Sequence, residues 1–326
     1  MKTLKVFVNE FINESADLKR NKVIVKDWIN ENYEIKGRIK INNDLTVDCK
    51  GNVGVVNEDI ESLTNGLFRW GRVDGYFDCS GCKNLTTLEG APKGVSWSFS
   101  CSECENLRSL EGAPKEIGGD FCCDNCKNLK SLEGAPEVVG ETFNCGHCEN
   151  LKSLEGAPEK VSGFFKCYHC VNLKSLEGSP KEVGWDFNCS ECENLRSLEG
   201  APKKVGGTFN CSRCENITSL EGAPKEVGEV FNCAYCENLK SLERGPEKVG
   251  DFNCMGCYSL KSLNGSPKEV ATFYCQYCNK LESLKGAPEK VRDCIQCGYC
   301  KNLKITDEDR TKYKLDLTTT SLGTRG

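Results

Sequence analysis

The sequence predicts a mainly β fold: a solenoid of short parallel strands with a small helical cap at its N-terminus. Three observations carry that prediction. Eleven Cys-x-x-Cys pairs stand in register, with first cysteines at 79, 101, 123, 145, 167, 189, 211, 233, 254, 275 and 297. Their steps are seven of 22 residues, then two of 21, then one of 22, and self-similarity at such a period marks a stacked-repeat architecture. Each unit also holds a short alternating stretch, such as Phe187-x-Cys189, which has the period of a strand with one buried face. Each unit then closes on turn chemistry, as in Glu199-Gly200-Ala201-Pro202, and all ten prolines fall in this one column, from Pro92 to Pro288. No segment of the unit is long or periodic enough for a stable helix.

Taken in order, residues 1–38 read as a helical N-terminal segment, with apolar residues at helical spacing in Leu4, Phe7, Val8, Phe11 and Ile12 and again in Val23, Ile24, Trp28 and Ile29. Residues 39–76 read as an N-terminal cap. Within it, Leu45, Val47 and Cys49 followed by Lys50-Gly51-Asn52 and then Val53 and Val55 suggest a hairpin. Val53, Val55, Glu58, Ile60 and Leu63 look like a degenerate first repeat. Residues 77–303 form the regular array of 10–11 coils, with strands stacked about 4.8 Å apart. In a typical coil Cys192, Leu195 and Leu198 follow the strand at spacings of three, and Val205 begins the return to the next one. The pattern fails at Lys304-Ile305-Thr306, so residues 304–326 read as a C-terminal cap and polar tail. Irregular ends are expected where a terminal repeat must cover an open core.

Composition bounds the function. The chain has 326 residues, 38% of them hydrophobic, and 25 cysteines. Twenty-two of those cysteines belong to the register pairs, leaving Cys49, Cys122 and Cys294 outside. Such density suits secreted disulfide scaffolds, but those are short chains with an export signal. The N-terminal stretch carries acidic residues and no apolar run of signal length. A reducing cytoplasm with free or metal-bound thiols is therefore expected. No run of 18 apolar residues offers a membrane span. A net charge of −5 speaks against a dedicated nucleic-acid binder. One basic column (Arg108, Lys130, Lys152, Lys174, Arg196, Lys240, Lys261) is flanked by glutamate columns, which neutralise it. There is no nucleophile–base constellation and no phosphate-binding loop, and only two histidines occur. Neither an enzyme nor a small-molecule substrate is expected.

The run Phe99-x-Cys101-x-x-Cys104-x-x-Leu107-x-x-Leu110 resembles the leucine-rich-repeat pattern L-x-L-x-x-N/C-x-x-L. Phenylalanine and the first cysteine stand at the strand leucines, and the second cysteine at the N/C position. The resemblance covers roughly residues 53–303. The 22-residue period and the proline after Gly-Ala are similar to short bacterial-type repeats with an extended convex side. The E-G-A-P-K-E-V-G-G text also resembles repeat proteins of large tailed bacteriophages. That second resemblance implies no activity of its own; if the chain is phage-encoded, it implies a partner protein in the host cytoplasm, held on the concave face that the outward strand positions form.

Two sets of candidate site residues follow. On the strand positions facing away from the core, the columns around each Cys-x-x-Cys pair vary most. They contain His147, Tyr168, His169, Arg213, Tyr235, Met255, Tyr274, Tyr277 and Tyr299. Aromatics and arginine are the side chains that dominate interface energetics, so a protein partner is the expected ligand. The second set is the cysteines themselves. They read first as small buried hydrophobes with a weak S–H donor, needing no cofactor. As an alternative, pairs on adjacent coils (Cys79, Cys82, Cys101 and Cys104, or Cys123, Cys126, Cys145 and Cys148) offer four thiols, a zinc set. Thiolates also suit Cu(I) or an iron–sulfur cluster.

Overall fold

In the computed structural model the structure describes residues 4–318, with side chains from residue 16 onward. The chain is a parallel β solenoid of about 12 turns, preceded by one long helix. Helix α1 (Leu4–Asn32) is followed at once by strand β1 (Tyr33–Ile41), which pairs antiparallel with β2 (Thr46–Val55). The expected helical stretch to residue 38 therefore ends at Asn32. Val25 and Ile29 are buried beneath it; the packing of Leu4, Phe7, Val8, Phe11 and Ile12 lies outside the described residues.

The hairpin is real, but its turn is not where Lys50-Gly51-Asn52 suggested. The chain reverses at 42–45, where the Asp44 carboxylate accepts from the Thr46 backbone N–H at 3.1 Å and Leu45 adopts a φ of 60°. Gly51 lies inside β2, directly opposite Gly37. A side chain on Gly51 would run into the Lys36 carbonyl and the Gly37 Cα. Gly51 thus marks a close approach of two backbones, not a turn.

Each coil carries two short strands, and they build two parallel ladders. The phenylalanine ladder runs Phe77, Phe99, Phe121, Phe143, Phe165, Phe187, Phe209, Phe231, Phe252 and Phe273, each paired in register with the next. Its buried rings stack nearly parallel, with centroids 5.1–5.6 Å apart. The second ladder joins Val73, Val95, Ile117, Val139, Val161, Val183, Val205 and Val227. Strand β2 seeds both: Cys49 pairs with Val73 and Val53 with Phe77. Val53 therefore takes a phenylalanine's place in the first coil, as the degenerate repeat predicted.

A three-residue corner such as Gly206-Gly207-Thr208 separates the two strands of a coil. The two 21-residue units each lack one corner residue, at Gly250-Asp251 and Ala271-Thr272. In the second of them the shortened corner fuses the strands into one, Glu269–Tyr274. Six buried columns fill the core: valine, phenylalanine, two cysteines and two leucines. On the turn side an asparagine in most coils donates to a carbonyl of the preceding coil, as Asn106 does to Lys83 at 2.8 Å.

Both ends are closed. An aromatic cluster of Trp28, Tyr33, Phe68 and Trp70 continues the ring stack beyond Phe77. Burial pushes the Tyr33 phenol well above its ordinary range, while its hydroxyl donates to the Leu63 carbonyl. At the other end a short helix α2 (Asp307–Lys312) starts with a capping box between Thr306 and Asp309. The strand Leu315–Asp316 then pairs with Ile295 and Gln296 and covers the last coil's open edge.

Candidate interaction surface

The surface is built on the Cys-x-x-Cys turn. In each coil the residue before the second cysteine has a left-handed backbone, with φ from 55° at His169 to 76° at Gly81. A left-handed third residue is what a type II turn demands, and glycine is its usual occupant. Nine of the eleven positions hold other residues: Glu103, Asn125, His147, His169, Glu191, Arg213, Tyr235, Tyr277 and Tyr299. None is β-branched, as that conformation requires. The turn is held in place from three sides. The left-handed residue's N–H donates to the next coil, as in Glu103 to Asp124 and His169 to Ser190, both at 2.8 Å. An Asn or Asp before the first cysteine accepts from the residue two places on, as Asn188 does from the Ser190 N–H at 3.0 Å. The third restraint comes from the thiols.

From Cys104 onward the second cysteine donates its S–H to the carbonyl of the preceding coil's first cysteine: Cys104 to Cys79, Cys126 to Cys101, Cys148 to Cys123 and Cys170 to Cys145, all at 3.2 Å. The same bond runs on to Cys300, which donates to Cys275 at 3.0 Å. Cys79, Cys82, Cys101, Cys104, Cys123, Cys126, Cys145 and Cys148 are all buried. At Cys79 the side-chain hydrogen bond with Cys104, then burial, pushes the thiol well above the ordinary range. Burial comes first at Cys82, pushed up to about 12, and at Cys145. At these three positions the protein thus favours the thiol over the thiolate. Metal ligation needs thiolates, so zinc would have to displace the S–H···O=C ladder. Among the described residues no group of three or more His, Cys, Asp or Glu converges as a metal set.

The predicted surface residues do come together along the outer face of the phenylalanine ladder. His147 and His169 lie with ring centroids 4.6 Å apart, and Tyr168 sets its ring edge-on to His147 at 5.1 Å. Tyr168 covers Gly146, where a Cβ would crowd its ring. Arg213 caps the Tyr235 ring at 5.3 Å, and that ring lies over Gly256. Tyr277 and Tyr299 stack at 5.1 Å. Met255 and Tyr274 are half-buried beside them. Small residues thus sit where a neighbouring coil's aromatic ring needs room.

Sequence reasoning missed three features. Tyr258 joins Tyr277, Tyr299, Leu303, Ile305 and Leu317 in a groove of about 600 Å³ at the C-terminal end. The signal was its position after the second cysteine, where most other coils carry a charged residue. Trp97 and Trp185 stand 64% and 59% exposed at equivalent corners. They belong to a longer duplication, since residues 101–115 recur letter for letter at 189–203. Finally, the outer column of the valine ladder alternates in charge through Lys160, Glu182, Lys204, Glu226, Lys248, Glu269 and Lys290. Lys248 reaches Glu226 at 3.0 Å and Lys290 reaches Glu269 at 2.9 Å. The basic column from Arg108 to Lys261 is exposed on the turn side, beside the Glu111, Glu133, Glu155, Glu177 and Glu199 column, which is also exposed.

The chain matches no family model, no curated protein and no solved structure. Among the described residues no helix is long and apolar enough to cross a membrane.

Proposed function

We propose that this chain is a non-enzymatic scaffold that holds a partner protein on the outer face of its phenylalanine ladder. The Cys-x-x-Cys turn carries the reading. Its left-handed position favours glycine, which has no Cβ to strain there. Nine of eleven coils nevertheless keep a side chain, and those side chains point away from the core. They lie outside the buried columns of the core, and their contacts are with one another across this face, as Arg213 on Tyr235 and Tyr277 on Tyr299. Tyrosine, histidine and arginine predominate in the coils from His147 to Tyr299, the composition of interface anchors.

The leucine-rich-repeat resemblance supports the same use of the fold. With it comes the further reading that the chain works in a cytoplasm, and in a host's if a phage encodes it. The ladder of thiols bonded to backbone carbonyls favours this scaffold over a metal-binding thiol array. The test is affinity capture from the native cell. Wild type should retain a specific protein, and Tyr168→Ala, His169→Ala, Tyr235→Ala and Tyr277→Ala combined should lose it while circular dichroism and the thermal midpoint stay unchanged. Capture undiminished in a folded quadruple variant would refute the assignment of the face.

A further inference from the structure

Both histidines of the chain occupy the same column of adjacent coils. Their backbones are superimposable, with φ of 56° at His147 and 55° at His169. Each amide is tied to the following coil, His147 to the Tyr168 carbonyl at 2.9 Å and His169 to the Ser190 carbonyl at 2.8 Å. Two imidazoles are therefore launched in parallel from a rigid frame, and their ring centroids lie 4.6 Å apart at a tilt of 43°. In a tetrahedral site with Zn–N of about 2.0–2.1 Å the two nitrogens stand about 3.3 Å apart. Rings with centroids 4.6 Å apart are close enough for one nitrogen of each to approach a shared ion.

A second observation points the same way. Glu191, in the same column one coil further on, places Oε2 3.3 Å from His169 Nδ1. A carboxylate accepts, so this contact favours the tautomer with the proton on Nδ1, the one that presents the Nε2 lone pair to a metal. This is the carboxylate–histidine arrangement that orients metal-binding imidazoles. Tyr168 closes one side by setting its ring edge-on to His147.

The geometry points to a chelating site in which His147 and His169 bind one divalent late transition-metal ion of the Zn2+ class, with Glu191 holding the His169 tautomer. Imidazole ligands suit Zn2+, Cu2+ and Ni2+. The protein supplies two ligands, and water or a side chain of a bound molecule completes the coordination. The site does not depend on the proposed partner and is distinct from the buried thiols.

The test is a Zn2+ titration of the full, reduced chain followed by NMR of the imidazole C–H signals, which only His147 and His169 contribute. Both sets should shift together and saturate at one equivalent. His169→Asn should abolish the shift of His147. Glu191→Ala should weaken binding by about 10-fold or more, the usual effect of losing such a supporting carboxylate. Circular dichroism of each variant confirms that the solenoid is intact. Absence of a saturable shift, Zn2+ uptake that leaves both imidazoles unmoved, or an undiminished His147 shift in folded His169→Asn would each overturn the site.

Discussion

Every coil has two left-handed positions, and they are used in opposite ways. The glycine of the Glu-Gly-Ala-Pro turn is kept in nine coils, with φ of 86–93°, and Arg244 is the one replacement. The position inside the Cys-x-x-Cys turn is glycine only at Gly81 and Gly256. The non-glycine residues of the open column lie at 55–61°, inside the small left-handed region that L-residues can adopt, whereas the closed-column glycines at 86–93° lie beyond it. Space adds to the difference. A Cβ on Gly112 or Gly134 would collide with the backbone of the preceding coil, at Leu88–Glu89 or Leu110–Glu111. A Cβ on Gly81 would meet nothing nearer than the Glu58 side chain at 3.7 Å. The closed column must be glycine for the coils to stack. The open column leaves room for a side chain in most coils, Gly256 being the exception because the Tyr235 ring lies over it, and its occupants vary widely.

The comparison can be broken or sharpened experimentally. The largest effect should come from the thiols that bracket the open column. Cysteine in an unfolded chain ionises near its ordinary value of 9.0, whereas folded Cys82 and Cys233 hold their protons up to about 12. A raised folded value means that this stability is complete below the unfolded value and is lost as pH climbs toward the folded one. Urea unfolding in reductant should therefore give constant stability up to about pH 8 and a steep decline above pH 9. A flat profile from pH 8 to 11 would show that the thiols are not held in protonated form.

In the closed column, Gly134→Ala should lower unfolding free energy by about 3 kcal/mol, combining left-handed strain with overpacking against Glu111. Cys170→Ala leaves the Cys145 carbonyl without its S–H donor and should cost about 1–3 kcal/mol. Cys170→Ser, which keeps a donor, should recover part of that loss. Arg244→Gly runs the other way: removing a left-handed arginine should stabilise by about 0.5–1 kcal/mol, less whatever its exposed ion pair with Glu221 contributes. Chemical denaturation of each variant reads these values directly.

Much of this architecture was legible in the sequence because it is periodic. The 22-residue step exposed the coil, and the buried phenylalanine, cysteine and leucine columns follow from their spacing. The second ladder was not legible, because a strand such as Lys204–Val205 has one buried residue and then a Gly-rich corner, whereas Phe187 is followed by the buried Cys189 two places on. The left-handed open column was hidden for the opposite reason. Glycine normally announces that conformation, and here histidine, tyrosine and glutamate occupy it, held by cross-coil amide bonds that no local pattern encodes. The hairpin turn was misplaced because Gly51 has two possible meanings, turn or close approach, and only pairing with Gly37 decides between them. The surface residues were legible as a variable column, yet their neighbours in space, Arg213 on Tyr235 and Glu191 at His169, required the register of neighbouring coils.

The smallest predicted effect is also the most direct test of the claim that the open column serves binding and not folding. Glu103→Gly and Asn125→Gly, made together, replace two left-handed side chains with the residue the backbone prefers. Their unfolding free energy should equal or slightly exceed wild type, within about 0.5 kcal/mol. A loss of more than about 1 kcal/mol would contradict the account, because the side chains of the open column would then be holding the solenoid together.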